Sequence, residues 1–334
     1  MLSLLSVKVE GDPYLKDQTV SFNEGFNTLS GVNGSGKTLL VHAIRFGLNG
    51  KSDDSFYTFS GRVTLGFRLP NRSEVEYSKA AGRMTRYWID GKEVSSEEYA
   101  EGLEEIEITP NMIGVMVPGV GWGKMGTSTD KDLLIFIENT MQNGQKMKGE
   151  CDILKKKIRI SMGAGTPKGI QKPSETTDEL QKKLAAVKKR RSTALNRRIN
   201  TMSSNVDKLY KKLNGNANQM AASFRPENPE EPYAGVEMVL DQGYGIMEPS
   251  NLSGGEKKIA SIAINLAAVR VLQCPFVIYD NFDENFSRES CNSVGIAFRE
   301  LVASGNLQII AVCKQDAMKN QAPHTFEMTL PEDD

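Results

Sequence analysis

The chain has 334 residues, enough to bury a substantial core as one large domain or two joined lobes. Hydrophobic residues make up 39% of it, and 41 Lys and Arg oppose 42 Asp and Glu. This balance excludes a wholly disordered chain and a globally basic nucleic-acid-binding protein. Any contact with DNA must therefore come from a local patch.

Cysteine and histidine usage is sparse. The four cysteines form no Cys-x-x-Cys pair and the chain has only two histidines, so neither a zinc site nor a disulfide framework is predicted. The first residues do not resemble a signal peptide, and no apolar run approaches the ~20 residues of a membrane span. We expect an intracellular protein without a membrane partner.

The first zone, residues 1–143, combines strands with a helix. Four segments alternate or are rich in β-formers: 2–10, 26–31, 61–69 and 86–92. Between the second and third lies TLLVHAIRFGL (38–48), which predicts a helix, and another helix begins at Leu133.

The second zone, residues 144–214, is basic and helical. It holds 19 Lys and Arg against 6 Asp and Glu, a net charge of +13. Apolar residues at 3/4 spacing predict one long amphipathic helix of roughly 50 Å. Its predicted seam is Leu180, Leu184, Val187, Ala194, Ile199, Met202, Val206, Leu209 and Leu213. A shorter helix precedes it, and Gly and Pro break the chain into a loop at about 160–175. The two helices predict an antiparallel stump.

The third zone, residues 215–334, returns to an α/β pattern. An acidic, proline-rich connector at 224–233 is followed by a strand at 235–240 and a helix from Gly254. A buried strand at 275–280, a second helix and a strand at 307–313 complete it.

Residues 31–38, GVNGSGKT, fit the phosphate-loop pattern G-x-x-x-x-G-K-[ST] between a predicted strand and a predicted helix. Glycines let backbone N–H groups converge on phosphates at a helix N-terminus. Lys37 would reach the β- and γ-phosphates and Thr38 would ligate Mg²⁺, so we predict ATP or GTP binding. The predicted nucleotide-binding residues are Asn33, Gly34, Ser35, Gly36, Lys37 and Thr38.

A second candidate anion site opens the helix at Gly254, within the segment NLSGGEK (251–257). Ser-Gly-Gly also occurs in ordinary turns, but in a chain that also has a phosphate loop it indicates a second anion-binding segment. The candidate residues are Leu252, Ser253, Gly254, Gly255 and Glu256.

These two motifs, with an apolar strand ending at Asp280, resemble the ATP-binding head of the structural maintenance of chromosomes (SMC) family. YWIDGK (87–92), DLLIFIENTM (132–141) and NTMSSNVDKLYKKL (200–213) are also similar to SMC segments, the last two to condensin-type subunits in particular.

The resemblance implies an α/β fold: an ABC-type P-loop NTPase head with an N-terminal lobe (1–143), a short antiparallel coiled-coil stump (144–214) and a C-terminal lobe (215–334). It implies ATP with Mg²⁺ held by Thr38 and Asp280. In such heads the segment that corresponds to NLSGGEK (251–257), called the signature segment, contacts ATP bound by a partner head. The active unit is therefore a head-to-head dimer.

The sequence departs from the family in two places. About 40–70 residues join the lobes, which leaves no room for the hinge at the tip of an SMC arm. The joining segment lacks the Gly/Ser repetition of an engineered linker, which favours a natural hinge-less protein over an engineered one.

The second departure concerns catalysis. The family's Asp-Glu pair becomes Asp280-Asn281, and a carboxamide cannot accept the proton of an attacking water. Loss of a general base typically costs ~10²–10⁴-fold in rate. Val117 stands where the family has a glutamine, and Lys314 where many ABC ATPases have a histidine. Another carboxylate, such as Asp283 or Glu284, is the alternative base.

Three functions follow as hypotheses. The first is an ATP-binding, hydrolysis-deficient regulator that inhibits a condensin-type complex by engaging its SMC heads or its kleisin. The second is an active, short RecF-like ATPase in DNA repair, with the basic stump on DNA. The third, an ABC transporter subunit, is disfavoured by the stump and the SMC-like YWIDGK segment. The resemblance implies a nuclear, chromosome-associated location; otherwise the protein is expected to be cytoplasmic.

Overall fold

The computed structural model describes residues 1–50, 59–118, 130–141, 143–162, 173–215, 220–241, 245–247 and 249–329. Its strands are β1 (Ser3–Glu10), β2 (Gln18–Ser21), β3 (Phe26–Gly31), β4 (Arg62–Arg68), β5 (Glu74–Ala80), β6 (Arg86–Ile89), β7 (Lys92–Val94), β8 (Ala221–Pro226), β9 (Val236–Asp241), β10 (Ile246–Met247), β11 (Phe276–Tyr279), β12 (Gln308–Val312) and β13 (His324–Met328). Its helices are α1 (Lys37–Gly47), α2 (Ser96–Glu105), α3 (Pro110–Met116), α4 (Asp130–Asn139), α5 (Gly144–Ser161), α6 (Thr177–Leu213), α7 (Gly254–Leu272), α8 (Arg288–Ala303) and α9 (Asp316–Lys319). This is the predicted α/β fold.

Four strands form a parallel sheet with the order β11-β12-β3-β13. Every residue of β11 and β12 is buried, as expected for parallel strands covered on both faces. Because the strands are parallel, their carboxyl ends meet at one edge of the sheet.

An antiparallel sheet with the order β2-β1-β4-β5-β6-β7 packs beside it. Its inner face is apolar, and α1 lies against β4, where Gly47 approaches the side chains of Val63 and Leu65. A Cβ on Gly47 would lie 2.8 Å from Leu65 Cδ1, so α1 and β4 pack in close contact. This contact fixes the helix that follows the phosphate loop.

Several elements were not predicted from the sequence. Helices α2 and α3 and strand β13 are short and have few apolar positions, and β8 takes up part of the predicted connector at 224–233. Their short lengths explain this, since few apolar positions per element define a period. Within the described residues, no helix combines the length and the apolar character that a bilayer crossing requires.

The arm consists of α5 and α6, which run antiparallel. Ser161 at the end of α5 lies 2.9 Å from Thr177 at the start of α6, through their hydroxyl oxygens. At 37 residues, α6 is about 55 Å long. Thr176 caps it by accepting a hydrogen bond from the Glu179 backbone N–H. Most of the predicted loop at 160–175 lies outside the described residues.

The predicted seam of α6 is largely buried, but four apolar positions differ from the prediction. Leu195 and Tyr210 are buried although they were not predicted, while Leu184 and Ala194 are only partly buried. The reason is that α6 packs on α5 and also, along its second half, on α7 and β8. A helix with several neighbours buries more than the one stripe that coiled-coil spacing describes.

A buried ion pair connects α6 of the arm to α4. Both Nε and a terminal nitrogen of Arg191 on α6 donate to Oε1 of Glu138 on α4, at 2.8 and 2.6 Å. The two side chains are 9% and 1% exposed. The ring of Tyr233 lies 5.1 Å from the guanidinium carbon. Removing one partner of such a pair leaves an uncompensated buried charge.

We therefore expect Arg191→Met to lower the free energy of unfolding by about 3–5 kcal/mol. The double variant Glu138→Gln/Arg191→Met removes both charges and should recover most of that loss. Urea denaturation of the single and double variants measures the difference. Equal losses in both would show that packing of α6, and not the buried charge, dominates.

A buried lysine lies between α1 and the antiparallel sheet. Lys79 of β5 is 8% exposed, donates to Asn49 Oδ1 at 2.7 Å, and has its ammonium 4.3 Å from the centre of the Phe46 ring. Burial lowers its pKa from 10.5 to about 8. Between these two values the unfolded chain holds a proton that the folded protein does not, so stability rises with pH.

Comparison with Lys79→Met isolates this effect. Between pH 8 and pH 10.5 the wild type should gain about 1–3 kcal/mol of unfolding free energy relative to Lys79→Met. Denaturant titrations at several pH values within that window measure the gain. Lys92→Met, at an exposed lysine of β7, controls for the loss of a lysine. A wild-type advantage that stays constant across the window would refute the assignment.

Candidate nucleotide-binding site

The phosphate loop joins β3 to α1 in a conformation that requires glycine. Gly31 has φ 143°, and a Cβ there would clash with the carbonyl oxygen of Met328 and lie 2.8 Å from Ser35 Oγ. Gly36 has φ 87°, and a Cβ there would lie 2.7 Å from Leu15. Both positions are therefore restricted by backbone angle and by space.

Lys37 begins α1 and is held by the loop itself. Its ammonium donates to the carbonyl oxygens of Gly31 and Val32, both at 2.8 Å, and lies 3.4 Å from Ser35 Oγ. Burial, and secondarily the charge of Lys314, lower the pKa of Lys37 below its ordinary value. The ammonium group thus lies at the N-terminus of α1, where the helix dipole and the positive charge both favour a bound anion.

The residues predicted to hold Mg²⁺ lie together. The Thr38 side chain hydrogen-bonds to Asp280, which follows β11 at the same edge of the sheet. Burial raises the pKa of Asp280 above its ordinary value, and the bond from Thr38 and the charge of His42 oppose the rise. A hydroxyl beside a carboxylate is the oxygen donor set that Mg²⁺ prefers. The effect of His42 shows that this residue of α1 lies close to Asp280, which the sequence pattern did not predict.

Asn281 lines a cavity of about 250 Å³ beside the phosphate loop. Its backbone is left-handed, with φ 47°, a conformation that Asn adopts more readily than Glu. The described residues that line the cavity are Asn33, Gly34, Gly36, Lys37, Thr38, Leu39, Asn281 and Lys314. None of these is acidic.

Asp283, an alternative candidate for the base, is bound by backbone groups. Its carboxylate accepts the backbone N–H of Lys314, at 3.1 and 2.9 Å to its two oxygens, and the backbone N–H of Gln315 at 2.6 Å. The Gln315 side chain donates back to the carbonyl oxygens of Asp283 and Phe286 at 2.7 and 3.0 Å. Asp283 is fully buried. It ties the end of β12 to the segment after β11.

The signature segment forms the N-terminus of α7. Ser253 accepts the Glu256 backbone N–H, while Glu256 accepts from the Ser253 backbone N–H at 2.9 Å, a capping box. Leu252 anchors the segment in the core, and Ser253 and Gly254 are exposed. A Cβ on Gly255 would lie 3.1 Å from the carbonyl oxygen of Asn285. The surface is therefore backbone-lined and open to a second molecule.

The structure brings together residues that the sequence did not connect. Burial lowers the pKa of Lys258, which lies in the second turn of α7. The negative charges of Glu284, Asp280 and Asp283 oppose this shift. Val117, at the family's glutamine position, is fully buried. Spacing along the chain could not reveal either fact, because both depend on how α7 and α3 pack.

The loop geometry, the Lys37 ammonium and the Thr38–Asp280 pair fit a nucleoside triphosphate with Mg²⁺. Asn33, Gly34, Gly36 and Lys37 line the phosphate cavity. A bound Mg²⁺ would neutralise phosphate charge there. A parallel sheet carrying this loop, with a second helix N-terminus exposed at Ser253, defines an ABC-type P-loop head.

Comparison with known proteins agrees with this class. The sequence model of the RecF/RecN/SMC N terminal domain family matches residues 58–334, and the chain belongs to that family. A solved Smc head bound to the C-winged helix domain of ScpA superposes with a TM-score of 0.70 at 19% identity, over 97% of this chain and 93% of that one. A Pyrococcus furiosus Smc head bound to the C-terminal domain of ScpA gives 0.68, also at 19% identity, over 98% and 93%. The SMC-type head fold is confirmed.

Curated relatives are much longer proteins. Structural maintenance of chromosomes protein 1B of Mus musculus is 33% identical over 132 residues, covering 39% of this chain and 10% of its own length. Structural maintenance of chromosomes protein 1 of Caenorhabditis elegans is 25% identical over 273 residues, covering 78% of this chain and 21% of its own length. The chain thus spans about a tenth to a fifth of these relatives.

The Asp283 contacts can be tested directly. Asp283→Ala leaves the N–H groups of Lys314 and Gln315 without their acceptor, and should lower the unfolding free energy by about 1–3 kcal/mol. Asp316→Ala, which removes an exposed carboxylate paired with Lys319, should cost less than about 1 kcal/mol. Urea denaturation compares the two. Equal effects would mean that the Asp283 bonds contribute no more than a surface ion pair.

Proposed function

We propose that this protein is an ATP-binding SMC head that hydrolyses ATP poorly and regulates an SMC complex, most simply by inhibiting it. It keeps the surfaces for binding nucleotide and for meeting a second head. At position 281 it lacks the glutamate that would activate water.

The observation that carries the proposal concerns the two candidate side chains after β11. Asn281 has no carboxylate, and the carboxylate of Asp283 is already hydrogen-bonded to backbone N–H groups. Asn281 lines the phosphate cavity, where the family has its glutamate. The Asp283 carboxylate accepts three contacts from backbone N–H groups and is fully buried, so it is poorly placed to take a proton from water. Glu284 is exposed and is the remaining candidate within this segment.

The proposed partners are the SMC heads and the kleisin of a condensin-type complex. Two structural neighbours were solved with a domain of ScpA bound, which supports a kleisin-type partner for this fold. The exposed Ser253 and Gly254 suit the head-to-head contact of ABC-type proteins. Occupying either surface without hydrolysing ATP would block a full-length subunit. A nuclear, chromosome-associated location belongs to this proposal.

The basic stump is a proposed second contact, with DNA. A groove of about 920 Å³ runs beside α5 and α6, with Lys189, Arg190, Arg197 and Arg198 among its lining residues. Such a cluster would neutralise phosphates. This groove also supports the alternative function, an active RecF-like ATPase in DNA repair or chromosome maintenance.

Turnover distinguishes the two functions. The wild type should bind Mg·ATP and turn it over near background, while Asn281→Glu should raise turnover by about 10² or more. Asn281→Gln matches the length of Glu without a carboxylate and should stay near background. Turnover is measured across protein concentrations, because two heads form the active unit.

Lys37→Ala controls for nucleotide binding at the phosphate loop. Wild-type turnover equal to that of Asn281→Glu, and lost in Lys37→Ala, would show an active ATPase and overturn the regulatory proposal. Recovery of neither an SMC nor a kleisin protein with the chain from its native cell would overturn the proposed partners.

A further inference from the structure

Two polar side chains are hydrogen-bonded to each other in the apolar core beneath the nucleotide site. Tyr279 ends β11, directly before Asp280, and Asn265 lies in the middle of α7; both are fully buried. The Tyr279 hydroxyl donates to Oδ1 of Asn265 at 2.8 Å, and Nδ2 of Asn265 donates to the carbonyl oxygen of Val115 at 3.2 Å. This chain of hydrogen bonds connects β11, α7 and α3.

The surroundings of the pair fix the orientation of each side chain. Val115 lies in the last turn of α3, where carbonyl groups lack intrahelical partners, and the Asn265 amide supplies a donor. Burial raises the pKa of the Tyr279 hydroxyl well above its ordinary value, so the hydroxyl remains a neutral donor. Phe298 of α8 stacks on the Tyr279 ring, with the ring centroids 6.0 Å apart. Tyr279 is therefore held at its ring and at its hydroxyl.

The value of this hydrogen bond lies in its direction. A single buried hydrogen bond contributes little net stability, because the same groups bond to water in the unfolded chain. Its geometry is narrow, however, and permits only a small range of placements of β11 relative to α7. Asp280 is the functional residue closest to this constraint, since it follows Tyr279 directly and is hydrogen-bonded by Thr38.

We propose that Tyr279 and Asn265 are positioning residues for the magnesium site: their hydrogen bond holds the end of β11 so that the Asp280 carboxylate stays beside the Thr38 hydroxyl. Both act from within the core and not by contact with the metal. The proposal rests on the proposed function, since it assumes that Thr38 and Asp280 hold the Mg²⁺ of a bound nucleotide. Because α7 begins at the signature segment, the same bond also relates that segment to the magnesium site.

Nucleotide binding with and without metal tests the proposal without any turnover. Calorimetric titrations with the non-hydrolysable triphosphate AMP-PNP, in Mg²⁺ and in EDTA, give the factor by which Mg²⁺ tightens binding. Tyr279→Phe keeps the ring and removes only the hydroxyl. It should lower that factor about tenfold, as expected when a residue that supports a metal ligand is lost. The affinity in EDTA should stay within about twofold of the wild type, because the phosphate loop is unchanged.

Tyr77→Phe provides the matched control. Tyr77 of β5 is also buried, and its hydroxyl donates to the carbonyl oxygen of Gly102 at 2.6 Å, within the antiparallel part of the molecule. Both variants therefore lose one buried tyrosine hydroxyl, and their urea midpoints should fall by similar amounts. Only Tyr279→Phe should change the Mg²⁺ factor. Asp280→Asn shows the fall expected when the metal carboxylate itself is lost.

Removal of the acceptor tests the same bond from the other side. Asn265→Leu should lower the Mg²⁺ factor about as much as Tyr279→Phe does. Since both substitutions break one hydrogen bond, the double variant should show little further loss. Losses that multiply in the double variant would mean that the two residues act independently, against the proposal.

The outcomes separate the two proposals. An unchanged Mg²⁺ factor in Tyr279→Phe, or an equal fall in Tyr77→Phe, would overturn the positioning role while leaving an ATP-binding head intact. A wild type that binds AMP-PNP equally well in Mg²⁺ and in EDTA would overturn it as well. Failure of the wild type to bind AMP-PNP under either condition would overturn the proposed function itself.

Discussion

The carboxyl ends of three parallel strands meet at one edge of the central sheet, and the nucleotide site depends on that convergence. The phosphate loop follows β3, Asp280 and Asn281 follow β11, and Lys314 follows β12. More than 240 positions along the chain separate the phosphate loop from Asp280. The two meet because β12 pairs in register with both β3 and β11. The sheet edge thus sets the position of the site, and the segments that follow the strands supply its functional side chains.

Asp283 connects two of the segments that leave this edge of the sheet. By accepting the amides of Lys314 and Gln315, one buried carboxylate connects the segment after β11 to the segment after β12. The same segment continues to Asn285, which lies against Gly255 of the signature surface. The phosphate cavity and the N-terminus of α7 are therefore joined by short, hydrogen-bonded backbone.

The arm is fastened to the head by a different kind of interaction. Arg191 and Glu138 form a buried pair whose charges cannot be separated cheaply, and this pair fixes α6 relative to α4.

The chemistry of the candidate site could be predicted from the sequence. Gly31, Lys37 and Thr38 define a phosphate loop wherever they fold between a strand and a helix, and Asn281 cannot act as a base in any fold, because these are properties of side chains and of local backbone. The long helix was also predictable, because an apolar period over many turns is a strong signal. Three facts are visible in the tertiary structure alone: the amides of Lys314 and Gln315 bind Asp283, Lys314 lines the cavity beside the phosphate loop, and Leu195 and Tyr210 are buried. Those facts depend on which strands pair and which helices pack, and such long-range contacts leave no periodic trace in the chain.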